Sequence, residues 1–341
     1  MKHTLHIQSL VIFLAALGLS SCIRDDLSKC GLNIGFSYTY NVHETEAFSQ
    51  EADWVNLYVF DSRDRLVMQE RHEGVRGDED FQIRIPLTDA GEYTLTAVAG
   101  SSDEGKADFL IPEMATGDPK SKLMFQAPAS GSGVMDKKLN SLLIGTYEAY
   151  LDGLLQTVTI SMMKCTHTIR VILMPLQGGA AIDPEDYEIS IEDKCGSLAC
   201  DASPLGENRI VYMPYFQEGS SAPGGGVSGA SMTAHSFSRQ NTRAEISSAV
   251  IAELSTSRLM YDFEPRLKIR DAGSGRELMD INLTWYLSLS EIEEHRAEWS
   301  DQEYLDRQDE YAMTFFFNNG LWFQNRIIVN GWVISMSDVE L

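Results

Sequence analysis

The stretch Leu32-Asn-Ile-Gly-Phe-Ser-Tyr-Thr-Tyr40 decides the fold class of this chain. Apolar and aromatic residues occupy every second position, and small or polar residues lie between them. A period of two is typical of a β-strand that buries one face. Residues 54–60, Trp-Val-Asn-Leu-Tyr-Val-Phe, are apolar on both faces, so we expect a second strand there between packed layers.

Further short strands, separated by turn residues, are predicted along the whole chain. In the first half they lie at residues 66–69, 81–85, 92–99 and 142–150; in the second half at 154–163, 168–173, 187–191, 210–213, 250–254, 258–263, 266–270, 278–287, 311–317 and 327–336. This spacing predicts an all-β chain built from β-sandwiches. The length favours two domains, and we place the boundary at Gly153, giving domains 31–153 and 154–341.

Two segments of the second half break this strand pattern. Ser290 and Glu293 fit a capping box, which predicts one helix near the C-terminus, about 20 residues long, that runs through Arg307. Residues 217–243 are rich in Gly, Ser and Ala, which is typical of a long loop.

The first 21 residues have the layout of a secretory signal peptide. Lys2 precedes an apolar core, residues 10–19, that is too short to span a membrane. Leu19-Ser-Ser-Cys22 fits a bacterial lipobox, which predicts cleavage between Ser21 and Cys22 and acylation of Cys22, for example with palmitate. Residues 22–30 would then form a lipidated tether. The alternative is a plain signal peptide in which Cys22 has no role.

The remaining cysteines are candidates for disulfides, because an exported protein folds in an oxidising setting. They are Cys30, Cys165, Cys195 and Cys200. Cys195 and Cys200 could close a small loop, which would leave Cys30 with Cys165. Four cysteines allow three pairings, and the sequence does not choose among them or against free buried thiols.

Charge and motifs exclude several functional classes. The formal net charge of −23 repels nucleic acid and anionic lipid, so neither is expected as a partner. The chain has no Gly-x-Ser-x-Gly or His-Glu-x-x-His motif, and Gly224-Gly-Gly226 lacks the lysine of a phosphate-binding loop. We therefore assign no catalytic, cofactor-binding or metal-binding residue and do not expect an enzyme.

Two further sets of polar residues are interpreted as structural. An acidic cluster at the end of the predicted helix has no glycine bend to organise a calcium site, so we interpret it as a solvated helix face. His167 lies in the middle of a predicted strand and is interpreted as a packed or surface residue. The acidic cluster comprises Asp301, Glu303, Asp306, Asp309 and Glu310.

Segments along nearly the whole mature chain resemble the fimbrial anchor subunits of Bacteroidales, the FimB-type and minor-fimbria anchor lipoproteins. Arg24-Asp25-Asp26, directly after the lipobox cysteine, resembles the signal that exports Bacteroidetes lipoproteins to the outer face of the outer membrane. One departure is Lys164, where the resemblance implies an arginine. The segments that carry the resemblance are residues 22–30, 36–41, 55–61, 91–95, 259–261, 280–283, 286–287, 305–311 and 328–333.

This resemblance implies two tandem transthyretin-like β-sandwich domains and an outer-membrane lipid anchor on Cys22. It also implies a surface position at the base of a fimbria, with fimbrial stem or accessory subunits as partners. Stem subunits of this kind are thought to polymerise by strand exchange after losing their first strand. We hypothesise that an anchor keeps its first strand, residues 32–40, which closes the groove. Residues 327–336 are a candidate contact with the next subunit, unless they only complete their own domain.

Two other functions remain open at this point. A surface or fimbrial-tip adhesin for glycan or host protein would expose aromatic residues, and Trp299, Trp322 and Phe323 are candidates unless they belong to the core. An enzyme acting on outer-membrane glycans would require a cleft with convergent carboxylates.

Overall fold

A computed structural model of the chain describes residues 31–87, 89–152, 154–175, 182–206, 208–223, 246–290, 298–318, 321–330 and 332–334. Most of these residues lie in strands, and the prediction of an all-β, sandwich-like fold is confirmed. The helices are α1 (Phe48–Glu51), α2 (Leu283–Ser288) and α3 (Asp301–Arg307). The strands are β1 (Gly31–Ser37), β2 (Trp54–Asp61), β3 (Leu66–Glu73), β4 (Gln82–Ile85), β5 (Gly91–Gly100), β6 (Met124–Gln126), β7 (Val134–Met135), β8 (Leu142–Leu151), β9 (Leu155–Ser161), β10 (Met163–Lys164), β11 (Thr166–Pro175), β12 (Tyr187–Asp193), β13 (Ser197–Ala199), β14 (Ile210–Tyr212), β15 (Phe216–Pro223), β16 (Ile246–Ser257), β17 (Arg266–Asp271), β18 (Glu277–Asn282), β19 (Glu310–Asn318), β20 (Leu321–Val329) and β21 (Trp332–Ile334).

The first sandwich packs a three-stranded sheet, β4-β1-β9, against a five-stranded sheet, β10-β8-β5-β2-β3. Leu32 and Ile34 of β1 are buried in the space between the sheets, as the period of two predicts. Seven of the eight residues of β2 are buried. One face of the strand packs in the core of the first sandwich, and the other face packs in the core that continues into the second sandwich. The helical turn α1 connects β1 to β2.

The second sandwich packs a six-stranded sheet, β15-β16-β11-β19-β20-β21, against a five-stranded sheet, β18-β17-β12-β14-β7. Val171 and Leu173 of β11 and Ile189 and Ile191 of β12 lie in one core between the sheets. That core continues to Tyr58 and the outer face of β2, so apolar packing joins the two sandwiches.

Strand pairing assigns residues near the predicted boundary to the first sandwich. Gly153 itself lies outside the described residues, and β9, which follows it, pairs in parallel with β1. Strand β10 pairs with β8, so the second sandwich begins at β11. Segment 101–141 lies between β5 and β8, yet its strands β6 and β7 pair with β13 and β14. The division at Gly153 into independent folding units stays a prediction.

The helical part of the second sandwich differs from the sequence prediction. The Ser300 side chain accepts a hydrogen bond from the Glu303 amide and starts the seven-residue helix α3, so the observed N-cap lies ten residues after the predicted capping box. The Ser290 hydroxyl instead donates to the Leu287 carbonyl. Residues 283–287, predicted as strand, form α2 because the Asn282 side chain caps it through the Trp285 amide.

The predicted long loop at 217–243 is partly a strand. Strand β15 pairs with β16 as far as Pro223, which extends the hairpin into the predicted loop; residues 224–245 lie outside the described range. Within the described residues, no helix is long and apolar enough to cross a membrane.

Candidate functional sites at the first strand, the domain joint and the C-terminal edge

The predicted modification site lies before the start of the described structure. Ser21, Cys22 and Cys30 are outside the described residues, so lipidation, cleavage and the role of Cys30 stay predictions. The described chain begins at Gly31, nine residues after Cys22. Gly31 has φ of 120°, and a Cβ here would lie 2.7 Å from the Ile85 carbonyl oxygen. The entry into β1 therefore requires glycine.

The other predicted disulfide cysteines are Cys165, Cys195 and Cys200, which are free, buried thiols in this structure. The possible bridge between Cys195 and Cys200 is not formed. Strand β13 runs extended between them, whereas a disulfide requires Cα atoms about 4.4–6.8 Å apart. Burial raises the pKa of the Cys165 thiol and raises that of Cys195 to about 12. Both thiols therefore stay protonated, which makes them poor nucleophiles.

The first strand is the middle strand of its sheet. It pairs antiparallel with β4, from Leu32 opposite Ile85, and parallel with β9, from Gly31 opposite Leu155. Leu32 and Ile34 are fully buried between the two sheets. Removing β1 would leave β4 and β9 without their shared neighbour and would open an apolar slot above the facing sheet. This is the kind of surface that an added strand covers.

The chain's last described strands form a hairpin. The single strand predicted at 327–336 is observed as β20 and β21, which are separated by a turn at Asn330 with φ of 48°. Strand β20 lies between β19 and β21, so residues 327–329 complete their own sheet. Strand β21 is the edge of that sheet among the described residues. The side chains of Trp322 and Phe323, two aromatic candidates for an adhesin surface, lie outside the described ones.

A buried lysine links the two sandwiches. Lys164 of β10 places its Nζ 2.8 Å from Glu51 of α1 and 2.5 Å from Asp309, which directly precedes β19. The Lys164 side chain is only 12% exposed. Burial disfavours its charge, but the two carboxylates outweigh burial and raise the pKa of Lys164. Glu51 belongs to the first sandwich and Asp309 to the second, so one cation holds both.

Arg307 makes a second connection across the same joint. The Val42 amide donates to the Arg307 carbonyl, and the Arg307 guanidinium lies 4.3 Å from the Tyr40 ring centroid. The guanidinium also lies 4.5 Å from the ring of Trp299. Trp299 was the third adhesin candidate, and it is buried, as expected for a core residue. Its ring stabilises the joint through cation–π contact instead of facing solvent.

The predicted solvated acidic face of the last helix is wrong at Asp306. This residue is 4% exposed and forms a bidentate ion pair with Arg258, with distances of 2.7 and 2.6 Å. Gln302 donates a further hydrogen bond to the Asp306 carboxylate. The pair ties α3 to the segment after β16. Asp306 alone of this cluster is buried, because the Arg258 guanidinium neutralises its carboxylate.

A polar cleft of about 250 Å³ lies at the joint. Its walls include Lys164, His167 and Asp309. His167 is buried, with Nε2 2.9 Å from the Leu305 carbonyl oxygen and Nδ1 3.3 Å from that of Ser257, and burial lowers its pKa. The cleft carboxylates of Glu51 and Asp309 share Lys164. Across the part of the chain that the structure describes, no group of three or more His, Cys, Asp or Glu residues could hold a metal ion.

Sequence reasoning missed the joint residues. Lys164 is one departure from the arginine that the family resemblance implies, and this departure by itself did not indicate that the side chain links the two sandwiches. Glu51 and Asp309 carried no signal, because an acidic chain offers many carboxylates and only the fold selects these two.

The family of fimbrillin-A associated anchor proteins Mfa1 and Mfa2 matches residues 27–338. No curated protein matches the chain significantly.

Solved structures extend the comparison. A candidate adhesin of Bacteroides thetaiotaomicron is 26% identical, with a TM-score of 0.75, over 90% of this chain and 98% of its own. A candidate polysaccharide-binding protein of the same organism is 28% identical, with a TM-score of 0.74, over 91% and 99%. The fimbrial anchor protein Mfa2 of Porphyromonas gingivalis is 18% identical, with a TM-score of 0.63, over 89% and 98%, and shares the fold.

The family match extends through both sandwiches and includes β1, the Lys164 joint and the C-terminal hairpin. The chain therefore belongs to the family of fimbrillin-A associated anchor proteins and is a fimbria-associated protein.

Proposed function

We propose that this protein is an outer-membrane lipoprotein that anchors a fimbria to the cell surface and terminates or limits its assembly. Acylated Cys22 would hold the tether in the membrane, and fimbrial stem or accessory subunits would bind the folded part. Two or more acyl chains give stable membrane anchorage, whereas one is marginal. The role is structural and does not require catalysis.

The observation that carries this proposal is the position of β1. The strand that directly follows the tether is central in its sheet and buried, with β4 and β9 on its two sides. A subunit with its first strand in place offers no open slot at that position to a neighbour's strand. The chain would therefore stop strand exchange at its own first sandwich. Losing β1 would also separate the folded part from the lipid.

The contact with the filament is proposed at the opposite end of the sequence. Among the described residues, β21 is an edge strand, and edge strands present unpaired backbone groups to a partner strand. The three described residues of β21 all pair with β20, so the other side of the strand is the one that a partner strand could reach. Removal of residues 332–341 should release fimbriae while leaving the first sandwich folded. Normal fimbrial attachment by a folded truncated protein would reject this contact.

The first test uses the lipidation site. Cys22→Ala should move the protein and its fimbriae from the outer membrane into the medium, with Ser28→Ala in the same tether as the matched control. Fimbrial subunits should co-purify with the wild-type protein from outer-membrane fractions. Retention of Cys22→Ala in the outer membrane would refute lipid anchorage, and a membrane-bound wild type without filament subunits would refute the anchor role.

A second test locks β1 covalently. Asn33 of β1 lies opposite Arg84 of β4, and antiparallel partners have Cα atoms about 4.5–5.5 Å apart, within disulfide range. The Asn33→Cys/Arg84→Cys protein should still anchor fimbriae of normal length, since β1 never has to leave. The two single-cysteine proteins are the controls. Loss of anchoring in the oxidised double variant, with recovery on reduction, would show that β1 must move.

A surface or fimbrial-tip adhesin is the second candidate function. Relatives described as a candidate adhesin and a candidate polysaccharide-binding protein are 26% and 28% identical to this chain. The burial of Trp299 argues against an aromatic glycan platform there. A glycan array with the intact protein separates the two functions. Binding to one glycan class that the free glycan inhibits favours the adhesin, and an array on which no glycan binds the protein favours the anchor.

A further inference from the structure

The tether and the second sandwich attach to opposite ends of β1 and β9. Because these strands are parallel, Gly31 at the start of β1 lies beside Leu155 at the start of β9. Ser37 lies beside Ser161 at the other end. The tether joins β1 at Gly31, whereas the chain leaves β9 after Ser161 and passes through β10 into β11, the first strand of the second sandwich. The two attachment points are therefore separated by the length of the strands, about 20 Å.

The second sandwich also packs against the segment that follows β1. The Tyr40 ring centroid lies 4.3 Å from the Arg307 guanidinium, and the Val42 amide donates to the Arg307 carbonyl oxygen at 3.0 Å. Tyr40 and Val42 come just after the end of β1, and Arg307 ends α3, just before β19 of the second sandwich. A pull on the tether and an opposite pull on the second sandwich therefore act along the axis of β1.

Strand β1 is held by neighbours on both sides. All seven of its residues pair with β9, and the Met162 amide extends this ladder by donating to the Ser37 carbonyl oxygen at 2.8 Å. On the other side, residues 32–35 pair with β4. The side chains of Leu32 and Ile34 are fully buried between the two sheets. Sliding β1 out of its sheet must break both ladders and expose two apolar side chains to water.

The direction of a pull decides how many of these hydrogen bonds resist it together. A force along a strand is shared by all the bonds of its ladders, because those bonds lie across the strand axis. A force across the strand at one end loads the first bond alone, and the ladder then opens bond by bond. Forced unfolding is governed by the barrier to unfolding, so a strand whose bonds must break together resists a larger force.

We infer that β1, paired with β9 and β4, is a shear clamp: a strand held so that tension between the tether and the second sandwich must slide it past its neighbours. The tension itself rests on the proposed function, in which a filament pulls on the second sandwich against the lipid on Cys22. The parallel direction of β9 is required, because an antiparallel β9 would leave the sandwich beside Gly31 and the same pull would peel the two strands apart. Strand β1 therefore both closes the groove and keeps the folded part attached to the tether under tension.

The test pulls single molecules of the mature chain between two thiol-linked DNA handles. The protein is made without its signal peptide, so Cys22 is unlipidated and its thiol holds the first handle in every experiment. Cys30→Ser removes the other thiol of the tether. The thiols of Cys165, Cys195 and Cys200 are buried and do not take a handle.

The position of the second handle sets the direction of the pull. At Ser161→Cys, the far end of β9, the pull slides β1 past β9. At Leu154→Cys, the matched control just before β9, the same handles peel β9 from β1, because β9 is the edge strand of their sheet among the described residues. Both positions are exposed. We expect the mean unfolding force to be at least about twofold higher for position 161, because several hydrogen bonds share the load there and one bond at a time carries it in the control.

A third protein follows the route of the proposed tension. Leu205→Cys places the second handle at an exposed position of the segment that leads to β14 of the second sandwich. Its unfolding force should match that of the Ser161→Cys protein. Urea denaturation of all three proteins without handles should give the same free energy of unfolding, which would show that a difference in force comes from the direction of the pull.

The outcomes separate the clamp from the lipid anchor. An unfolding force for Ser161→Cys no higher than that for Leu154→Cys would reject the clamp. A force for Leu205→Cys as low as that for Leu154→Cys would show that the joint or the second sandwich yields before β1, which would also overturn the inference. Neither result bears on lipidation, because none of these proteins carries a lipid. Failure of the Cys22→Ala test would instead remove the proposed source of tension and leave the measured forces unchanged.

Discussion

Replacing Lys164 with methionine tests the joint between the sandwiches. Methionine keeps the length and apolar stem of lysine but removes the charge that Glu51 and Asp309 share. Both carboxylates would then face each other without their common cation. The joint should loosen, and the protein should lose stability.

The magnitude follows from the burial of the three groups. Breaking a fully buried ion pair costs about 3–5 kcal/mol, whereas exposed pairs contribute about 0–1 kcal/mol. Lys164 is nearly buried, but Glu51 and Asp309 are 30% and 31% exposed, so water can solvate the orphaned carboxylates. We therefore expect a loss of about 2–3 kcal/mol. Over about 300 residues that unfold together this lowers Tm by about 3–5 °C.

Urea denaturation of the unlipidated Cys22→Ala protein, followed by tryptophan fluorescence, measures this loss. Lys122→Met is the matched control, because Lys122 is 43% exposed in its ion pair with Asp118 and should cost less than about 1 kcal/mol. Adding Asp309→Asn to Lys164→Met should recover part of the loss, since one unpaired carboxylate disappears. A cost for Lys164→Met no greater than that of the control would refute the reasoning.

The pH dependence of the same contribution has a defined sign. Because the pKa of Lys164 is raised in the folded protein, its stabilising effect is fully present below the ordinary lysine pKa. The effect is lost only as the pH rises through the higher folded-state value. The stability difference between wild type and Lys164→Met should therefore stay constant from pH 7 to pH 9, and a decline in that window would contradict the assignment.

Three further predictions concern the cores of the two sandwiches. Gly145→Ala should lower the free energy of unfolding by about 1–3 kcal/mol, because the added Cβ would press against a backbone carbonyl of β9. Gly35→Ala is the control: its Cβ would meet nothing closer than 3.6 Å and should cost less than about 1 kcal/mol. Equal losses of stability in urea denaturation would reject the packing argument. Arg258→Met should cost about 3–5 kcal/mol, because Asp306 would be left buried and unpaired, and a cost below about 1 kcal/mol would show that water reaches the carboxylate. Burial raises the pKa of Asp193 to about 6, so the contribution of the protonated carboxyl to folding stability is present below the unfolded-state pKa near 4 and is lost as the pH rises through 6. Asp193→Asn should therefore raise the free energy of unfolding at pH 7.5 by up to about 3 kcal/mol and change it little at pH 4. Identical urea midpoints for the variant and the wild type at pH 7.5 would contradict this.

The sequence determined the class of the fold because β-strands are encoded locally. A period of two over residues 32–40 and an apolar run over 54–60 require no knowledge of distant residues. The structure has strands at residues 31–37 and 54–61, so the first strand ends three residues before the predicted end. Ordered motifs along the chain also carried the family, which the match over residues 27–338 confirmed. The lipobox at Cys22 is encoded in the same local way, and lipidation there stays a prediction.

Tertiary structure decided which strands share a sheet. Periodicity shows that residues 155–161 form a strand, but hydrogen bonding to β1 is what puts that strand in the first sandwich. The same holds for β6 and β7, which lie between strands of the first sandwich and pair with the second. Sequence distance does not limit such pairings, because backbone groups pair with any strand that the fold brings alongside.

Tertiary structure also decided which charged side chains form ion pairs and which cysteines stay as free thiols. From the sequence, Asp306 is one of five acidic residues at the end of a helix. Only the folded structure places Arg258 against its carboxylate. Cys195 and Cys200 are close in sequence, and only the extended path of β13 leaves them as free thiols. A strand repeat is a property of neighbouring residues, so the sequence alone sets it. An ion pair or a disulfide depends on distances between remote atoms, and those distances exist only after the chain has folded.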